Sequence, residues 1–357
     1  MTEARIAVLG AGGFLGSHLV RGMLERFDCA IDAVDVDFEK LDVSSARLRK
    51  WRGRVEDASV LDAVTAQADV VLSLTALCNP AQYSTIPLEV IDANFTHLLP
   101  VVKRCAERKI RLIHFSTAEV YGLQAVGLDG LPTREMSEDS SCLQLGPIHK
   151  ERWSYACAKQ LLERVIWAYG EHHGLSFTLI RPFNTIGPRM DFLPGVDGEG
   201  TPRVLACFMN QLLRGAPLQL VGGGTQKRAF MDVRDMTEAV CRVIERRRAC
   251  ERQILNLGNP RNLVSIAELA RMLASAFAEI APDAAPATFQ TVSAADFYGL
   301  GYDDTAERVP DVRKARQLLG WEPAHSMQAM LPGIVADYVA RYRERVASPA
   351  SQAARSA

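Results

Sequence analysis

What this chain has little of sets its frame. No apolar run in its 357 residues approaches the ~20 that a membrane-spanning helix needs, so no membrane association is expected. An excess of one charge is missing too. The 41 Lys and Arg stand against 42 Asp and Glu, a net of -1, and no nucleic-acid partner is expected. Its eight cysteines (Cys29, Cys78, Cys105, Cys142, Cys157, Cys207, Cys241 and Cys250) are scattered, with no Cys-x-x-Cys and no Cys/His cluster. That pattern fits a reducing compartment and no metal site. The first residues enter a strand without a secretory pattern, and a cytoplasmic protein is expected. No internal repeat is visible, and the Ala/Ser-rich tail at 347–357 is expected to be disordered. What remains is an ordinary folded chain, 48% hydrophobic, long for one core and short for three.

The first thirty-five residues are the most legible. Arg5 to Leu9 reads as a buried strand, Gly10-Ala11-Gly12-Gly13-Phe14-Leu15-Gly16 as a turn, and Ser17 to Arg26 as a helix. Glycines between a strand and a helix let a pyrophosphate approach the helix N-terminus, where free N–H groups and the helix dipole favour an anion. Gly10, Gly13, Phe14, Leu15 and Gly16 are therefore candidate cofactor contacts, in a G-x-x-G-x-x-G spacing. A second strand, Ala30 to Asp35, ends in a carboxylate. Asp35 can accept from the ribose hydroxyls of an adenine dinucleotide and repels a 2′-phosphate, which favours NAD over NADP.

Further strands at Ala68 to Leu74 and Ile110 to Ser116 alternate with helical segments, which predicts a doubly wound parallel sheet. Ligands bind beyond the carboxyl ends of such strands. Two segments qualify: Thr75 to Pro80, which contains Cys78, and Ser116 to Gly122, where Thr117 and Glu119 emerge together. Downstream, Tyr155 and Lys159 stand four apart at the start of a helical run that reaches Tyr169 before Gly170, so both share one helix face. A lysine beside a tyrosine lowers the phenol's pKa and makes it a base for an alcohol proton. By itself the pair reads more readily as an amphipathic helix with a surface lysine.

Taken together, the glycine turn, the acidic end of the second strand, Thr117 and the Tyr155/Lys159 pair resemble the extended short-chain dehydrogenase/reductase superfamily. Thr117 to Gly122, Arg181-Pro182-Phe183-Asn184 and Ile186 to Asp191 resemble its UDP-glucuronate decarboxylase branch, which includes enzymes that form UDP-apiose and UDP-xylose. The likeness runs over nearly the whole chain, through Arg152 to Leu161, Gly187 to Gly198, Pro202 to Phe208 and Gly301 to Asp304.

The resemblance implies a Rossmann-type α/β fold with a smaller C-terminal substrate-binding lobe. Residues 1–183, rejoined by 225–259, would bind NAD; 184–224 and 260–346 would form the lobe. It implies oxidation of UDP-glucuronate at C4 by NAD, decarboxylation of the 4-keto sugar, and release of UDP-xylose, UDP-4-ketopentose and/or UDP-apiose. Tyr155 would be the base, supported by Lys159 and Thr117, and Tyr155 and Lys159 would also contact NAD, with Glu119 and Arg308 at the positions used for decarboxylation. Arg152, Cys78 and Asp304 match further active-site positions. Asn184, Arg203, Arg228 and Tyr302 match contacts to the UDP group, and Ala118 lies beside the sugar. A homodimer is implied as well.

Some residues depart from that pattern. Ala118 stands where a Cys or Ser is usual, Thr185 where a Trp, Gln219 where a Lys, and Arg54 where an Asp or Asn. A methyl group neither donates a hydrogen bond nor exchanges a proton, so apiose formation is expected to be weakened or lost. Cys157 and Cys207 are expected as small buried hydrophobes, and His149, His172 and His173 as surface residues. A nucleotide-sugar 4-epimerase, a decarboxylase for a modified UDP-uronic acid and a non-catalytic NAD-binding protein remain open alternatives.

Overall fold

The computed structural model describes residues 2–298 and 305–347. The chain begins with β1 (Thr2–Leu9), α1 (Phe14–Arg26), β2 (Asp28–Asp35), β3 (Leu48–Arg52), α2 (Ala58–Thr65), β4 (Val70–Ser73), α3 (Pro87–Asn94), α4 (Leu99–Glu107) and β5 (Arg111–Phe115). It continues with α5 (Ser154–His173), β6 (Phe177–Pro182), β7 (Thr185–Ile186), α6 (Val204–Leu213), β8 (Leu218–Val221), β9 (Lys227–Ala229), β10 (Met231–Asp232), α7 (Val233–Glu245) and β11 (Gln253–Leu257). Last come β12 (Leu263–Ser265), α8 (Ile266–Ile280), β13 (Phe289–Val292), α9 (Ala294–Tyr298), β14 (Glu307–Arg308), α10 (Arg313–Leu319) and α11 (Met327–Ala347).

Seven strands form one parallel sheet in the order β11-β6-β5-β4-β1-β2-β3. The continuous apolar run of β1 is explained by burial on both faces. Ile6 and Val8 pack with Leu19 and Met23 of α1 and Met236 and Val240 of α7. Ala7 and Leu9 face the other way, onto Leu61 of α2, Val101 of α4, and Leu162 and Ile166 of α5. The strand order runs outward from β1 in both directions, so a crevice opens between the carboxyl ends of β1 and β4. This is the Rossmann-type α/β architecture expected above.

A separate apolar cluster joins Leu205 and Phe208 of α6, Leu269 and Leu273 of α8, and Leu331, Val335 and Tyr338 of α11. The sequence reading did not anticipate α11, which carries Pro332 within it. Another difference concerns α5. It passes through Gly170 and stops at Gly174, which takes the left-handed conformation at φ 67°. Gly170 is needed for packing, since a Cβ there would lie 2.4 Å from the Phe177 ring. Strand β9, inside the segment read as returning to the Rossmann unit, pairs with β12 and β14; this sets Arg228 opposite Arg308. Among the described residues no helix is long and apolar enough to cross a membrane.

Candidate active site

Beyond the carboxyl ends of β1, β4, β5 and β6 lies a cavity of about 530 Å³ that runs from the glycine turn to Arg308. Two local arrangements aim side chains into it. After β5, the Thr117 Oγ1 accepts the Glu119 N–H at 3.1 Å, capping a single turn over residues 118–121. That turn is fixed at its far end by Tyr121, whose buried hydroxyl donates to Asn256 Oδ1 at 2.9 Å. The second is α5, tied to β6 by a buried two-pronged pair in which Arg181 donates to both oxygens of Glu163, at 2.9 and 2.6 Å. With α5 so anchored, Tyr155 and Lys159 face the cavity from one helix face.

The electrostatics of this pair correct the expectation of a lysine-lowered phenol. Burial pushes Tyr155 well above its ordinary value, Cys78 and Glu119 add to the rise, and a hydrogen bond with Thr117 opposes it. Lys159 is spent elsewhere: its Nζ donates to the Phe115 carbonyl at 3.0 Å. Burial lowers it to about 8, against the pull of Cys78 and Glu163. In the protein alone the phenol is thus a poor base, and it needs added positive charge beside it.

Glu119 is gripped from both sides. Arg152 Nη1 donates to Oε2 at 2.8 Å and Arg308 Nη1 to Oε1 at 3.4 Å. Burial works to raise its pKa, but the two guanidinium charges prevail and hold it at about 2. A carboxylate so ionised is suited to orienting arginines and is not a ready proton donor. It also has a stability consequence. The pKa is lower in the folded chain than its ordinary 4.5, so the contribution is complete above that value and is lost as pH falls toward 2. Urea unfolding from pH 5 down to pH 3 should therefore show a loss of about 2 kcal/mol, the larger part of the whole contribution, that is absent from Glu119→Gln.

On the lobe side, Arg203 donates through Nε to Asp191 at 3.1 Å and through Nη2 to the Met190 carbonyl at 3.0 Å. Asn184, at φ 33°, donates to the Ala229 carbonyl at 3.2 Å. Arg228 Nη1 donates to the carbonyls of Lys227 and Thr305. All three line the cavity, as does Cys78, which is exposed there. Tyr302 and Asp304 lie outside the described residues.

The NAD dependent epimerase/dehydratase family matches residues 6–258. The chain belongs to that family. It is an NAD-dependent enzyme. The chain is 43% identical to the UDP-D-apiose/UDP-D-xylose synthase of Oryza sativa subsp. japonica, over 98% of this chain and 93% of that protein. It is 42% identical to UDP-D-apiose/UDP-D-xylose synthase 1 of Arabidopsis thaliana, over 97% and 94%. The solved PbgP3 protein from Burkholderia pseudomallei shares 34% identity at a TM-score of 0.83, covering 95% of this chain and 97% of that one.

The residues present fit the family's cofactor. A Cβ on Gly16 would come within 2.1 Å of the Gly10 carbonyl, so α1 starts hard against the turn. At Gly13 a Cβ would meet nothing nearer than 3.4 Å, which leaves open cavity over the first turn of α1. Phe14 and Leu15 line that space. Asp35 accepts from Gly12 N at 2.8 Å and Val36 N at 2.7 Å, which ties β2 to the turn and leaves further lone pairs for ribose hydroxyls.

Other positions stand apart from the site. The Ala118 methyl packs with Val120, Tyr121, Met136 and Phe183 and does not line the cavity, because the turn after Thr117 carries it behind Glu119. Gln219 hydrogen-bonds Gln211 outside the cavity, and the exposed Arg54 pairs with Glu56. Cys157 is exposed and not buried as expected. It sits on the solvent side of α5, between the buried Ala156 and Ala158 in sequence. Cys207 is half-buried, with its thiol donating to the Pro202 carbonyl at 3.2 Å.

Sequence reasoning missed Tyr83, Asp191 and Lys40. Tyr83 stacks on Tyr155 with centroids 4.8 Å apart and planes 11° from parallel, and Arg152 sits over its ring. Nothing in the spacing marks it, since its loop after β4 has no periodicity. Asp191 ends the Ile186 to Asp191 segment, but only the fold pairs it with Arg203.

Proposed function

We propose that this enzyme decarboxylates UDP-glucuronate through a UDP-4-keto intermediate, recycling its NAD. The observation that carries this reading is the Arg152–Glu119–Arg308 arrangement opposite Tyr155. The cavity's composition supports it. Six cationic side chains line it (Lys40, Arg152, Lys159, Arg203, Arg228 and Arg308) against two carboxylates, Glu119 and Asp191, a balance suited to two diphosphates and a uronate.

NAD, when bound, supplies the hydride acceptor and a positively charged ring. Tyr155 takes the C4 hydroxyl proton, with Thr117 holding the phenol. The 4-keto product is a β-keto acid and loses carbon dioxide once its enolate is stabilised. Arg308 and Arg152 hydrogen-bond that developing charge, and Glu119 fixes the two guanidiniums in place. Arg203, Arg228 and Asn184 take the nucleotide diphosphate, the arginines as planar donors. Among the described residues that line the cavity Cys78 is the single thiol, and Ala118, packed behind Glu119, adds neither thiol nor hydroxyl, so UDP-xylose, reached by return of hydride to C4, is favoured over UDP-apiose; release of the 4-ketopentose leaves the cofactor reduced. We also propose a homodimer, supported by exposed Leu88 and Ile91 on α3 and Leu161 on α5, two helices packed side by side.

Incubation with UDP-glucuronate and catalytic NAD, followed by NMR of the nucleotide sugars, tests the reading. A UDP-pentose pool low in apiose is expected. UDP-apiose as the main product would overturn the role given to Ala118, and a 4-epimer that keeps its carboxylate would overturn decarboxylation itself.

A further inference from the structure

We propose that Lys40 is a phosphate-binding residue at the seam between the Rossmann unit and the lobe, holding one diphosphate of the bound ligands. The inference rests on the reading of the cavity as a dinucleotide and nucleotide-sugar site. Lys40 lies in the loop between β2 and β3, and its side chain lines the cavity with Gly13, Phe14, Asp191 and Arg203.

The other cavity cations are engaged by protein acceptors. Arg203 has Asp191, Arg152 and Arg308 share Glu119, Lys159 has the Phe115 carbonyl, and Arg228 has two carbonyls. Among the described residues, the Lys40 ammonium alone of these cavity cations has no hydrogen-bond or ion-pair partner. Its backbone is nonetheless fixed. The Lys40 carbonyl accepts from Arg189 Nη1 at 2.9 Å and Arg21 Nη2 at 3.3 Å, and Leu41 next to it is fully buried. Arg189 also pairs with Asp42 at 3.0 Å, and its backbone N–H donates to Asp337 at 2.9 Å, binding this loop to the segment that carries Asp191.

A tethered loop that presents a half-buried, partnerless ammonium to a cavity is arranged for an anion. Burial lowers the Lys40 pKa, with Asp191 opposing and Arg203 and Arg341 adding to the fall. A diphosphate beside it would favour the charged form. Lysine binds phosphate as a point charge and so needs no planar match. The diphosphate has two sources: the dinucleotide's, over the first turn of α1, or the nucleotide sugar's, beside Arg203.

Calorimetric titration of the full chain with ADP-ribose and with UDP, using adenosine and uridine as phosphate-free controls, tests this and separates the sources. Lys40→Met should weaken ADP-ribose or UDP by about tenfold, leave both nucleosides within about twofold, and be largely rescued by Lys40→Arg. The KM of the matching ligand should rise by the same factor with kcat within about twofold. Lys40→Met binding both ADP-ribose and UDP within about twofold of the wild type would overturn the proposal, as would an equal loss of the nucleosides. A wild type that does not bind UDP would defeat the nucleotide-sugar reading, while the ADP-ribose arm still decides Lys40.

Discussion

Tyr155→Phe should lose about 10²–10⁴-fold in kcat, the usual range for removing a positioned general base, while NAD binds with unchanged affinity. The split follows from geometry. The aromatic ring carries the packing, stacked on Tyr83 at 4.8 Å, and phenylalanine keeps that contact. Only the hydroxyl is lost, with its hydrogen bond to Thr117. The glycine turn and Asp35, which serve the cofactor, are untouched. Single-turnover absorbance at 340 nm with UDP-glucuronate checks the oxidation step, and cofactor retention after gel filtration checks binding. Reduction of NAD at the wild-type rate would remove Tyr155 from the role of base.

Glu119→Gln should separate oxidation from decarboxylation: reduced cofactor accumulates while carbon dioxide release falls by about 10²-fold or more. Glutamine is nearly isosteric but uncharged, so Arg152 and Arg308 lose the anion that fixes them. Two buried guanidiniums without their carboxylate also strain the fold, and breaking such a pair costs about 3–5 kcal/mol. Thermal unfolding of the variant must therefore accompany the kinetics. Undiminished carbon dioxide release from a folded variant would contradict the assignment.

Chain-local features made the fold readable. β1, the glycine turn and Asp35 are set by neighbours in sequence, and their order alone identifies a dinucleotide crevice. Tyr155 and Lys159 were readable for the same reason, through helical spacing. Their electrostatics were not. The Lys159 bond to Phe115 and the burial of Tyr155 depend on how α5 sits on β5 and β6, fixed by the Glu163–Arg181 pair eighteen residues apart. The grip on Glu119 joins residues 119, 152 and 308, and no local pattern announces such a meeting. Tyr83 and Lys40 come from irregular loops, where periodicity carries no signal. Cys157 failed for a simpler reason: the burial habit of cysteine says nothing about which side of a helix it occupies.

The central claim is that the carboxylate leaves. Incubating the enzyme and catalytic NAD with UDP-glucuronate labelled with ¹³C at C6, and following released carbon dioxide against substrate consumed, tests it most directly. One labelled carbon dioxide per substrate, with the label absent from every nucleotide-sugar product, is the predicted result. Consumption of substrate with the label retained in a UDP-uronate would contradict it.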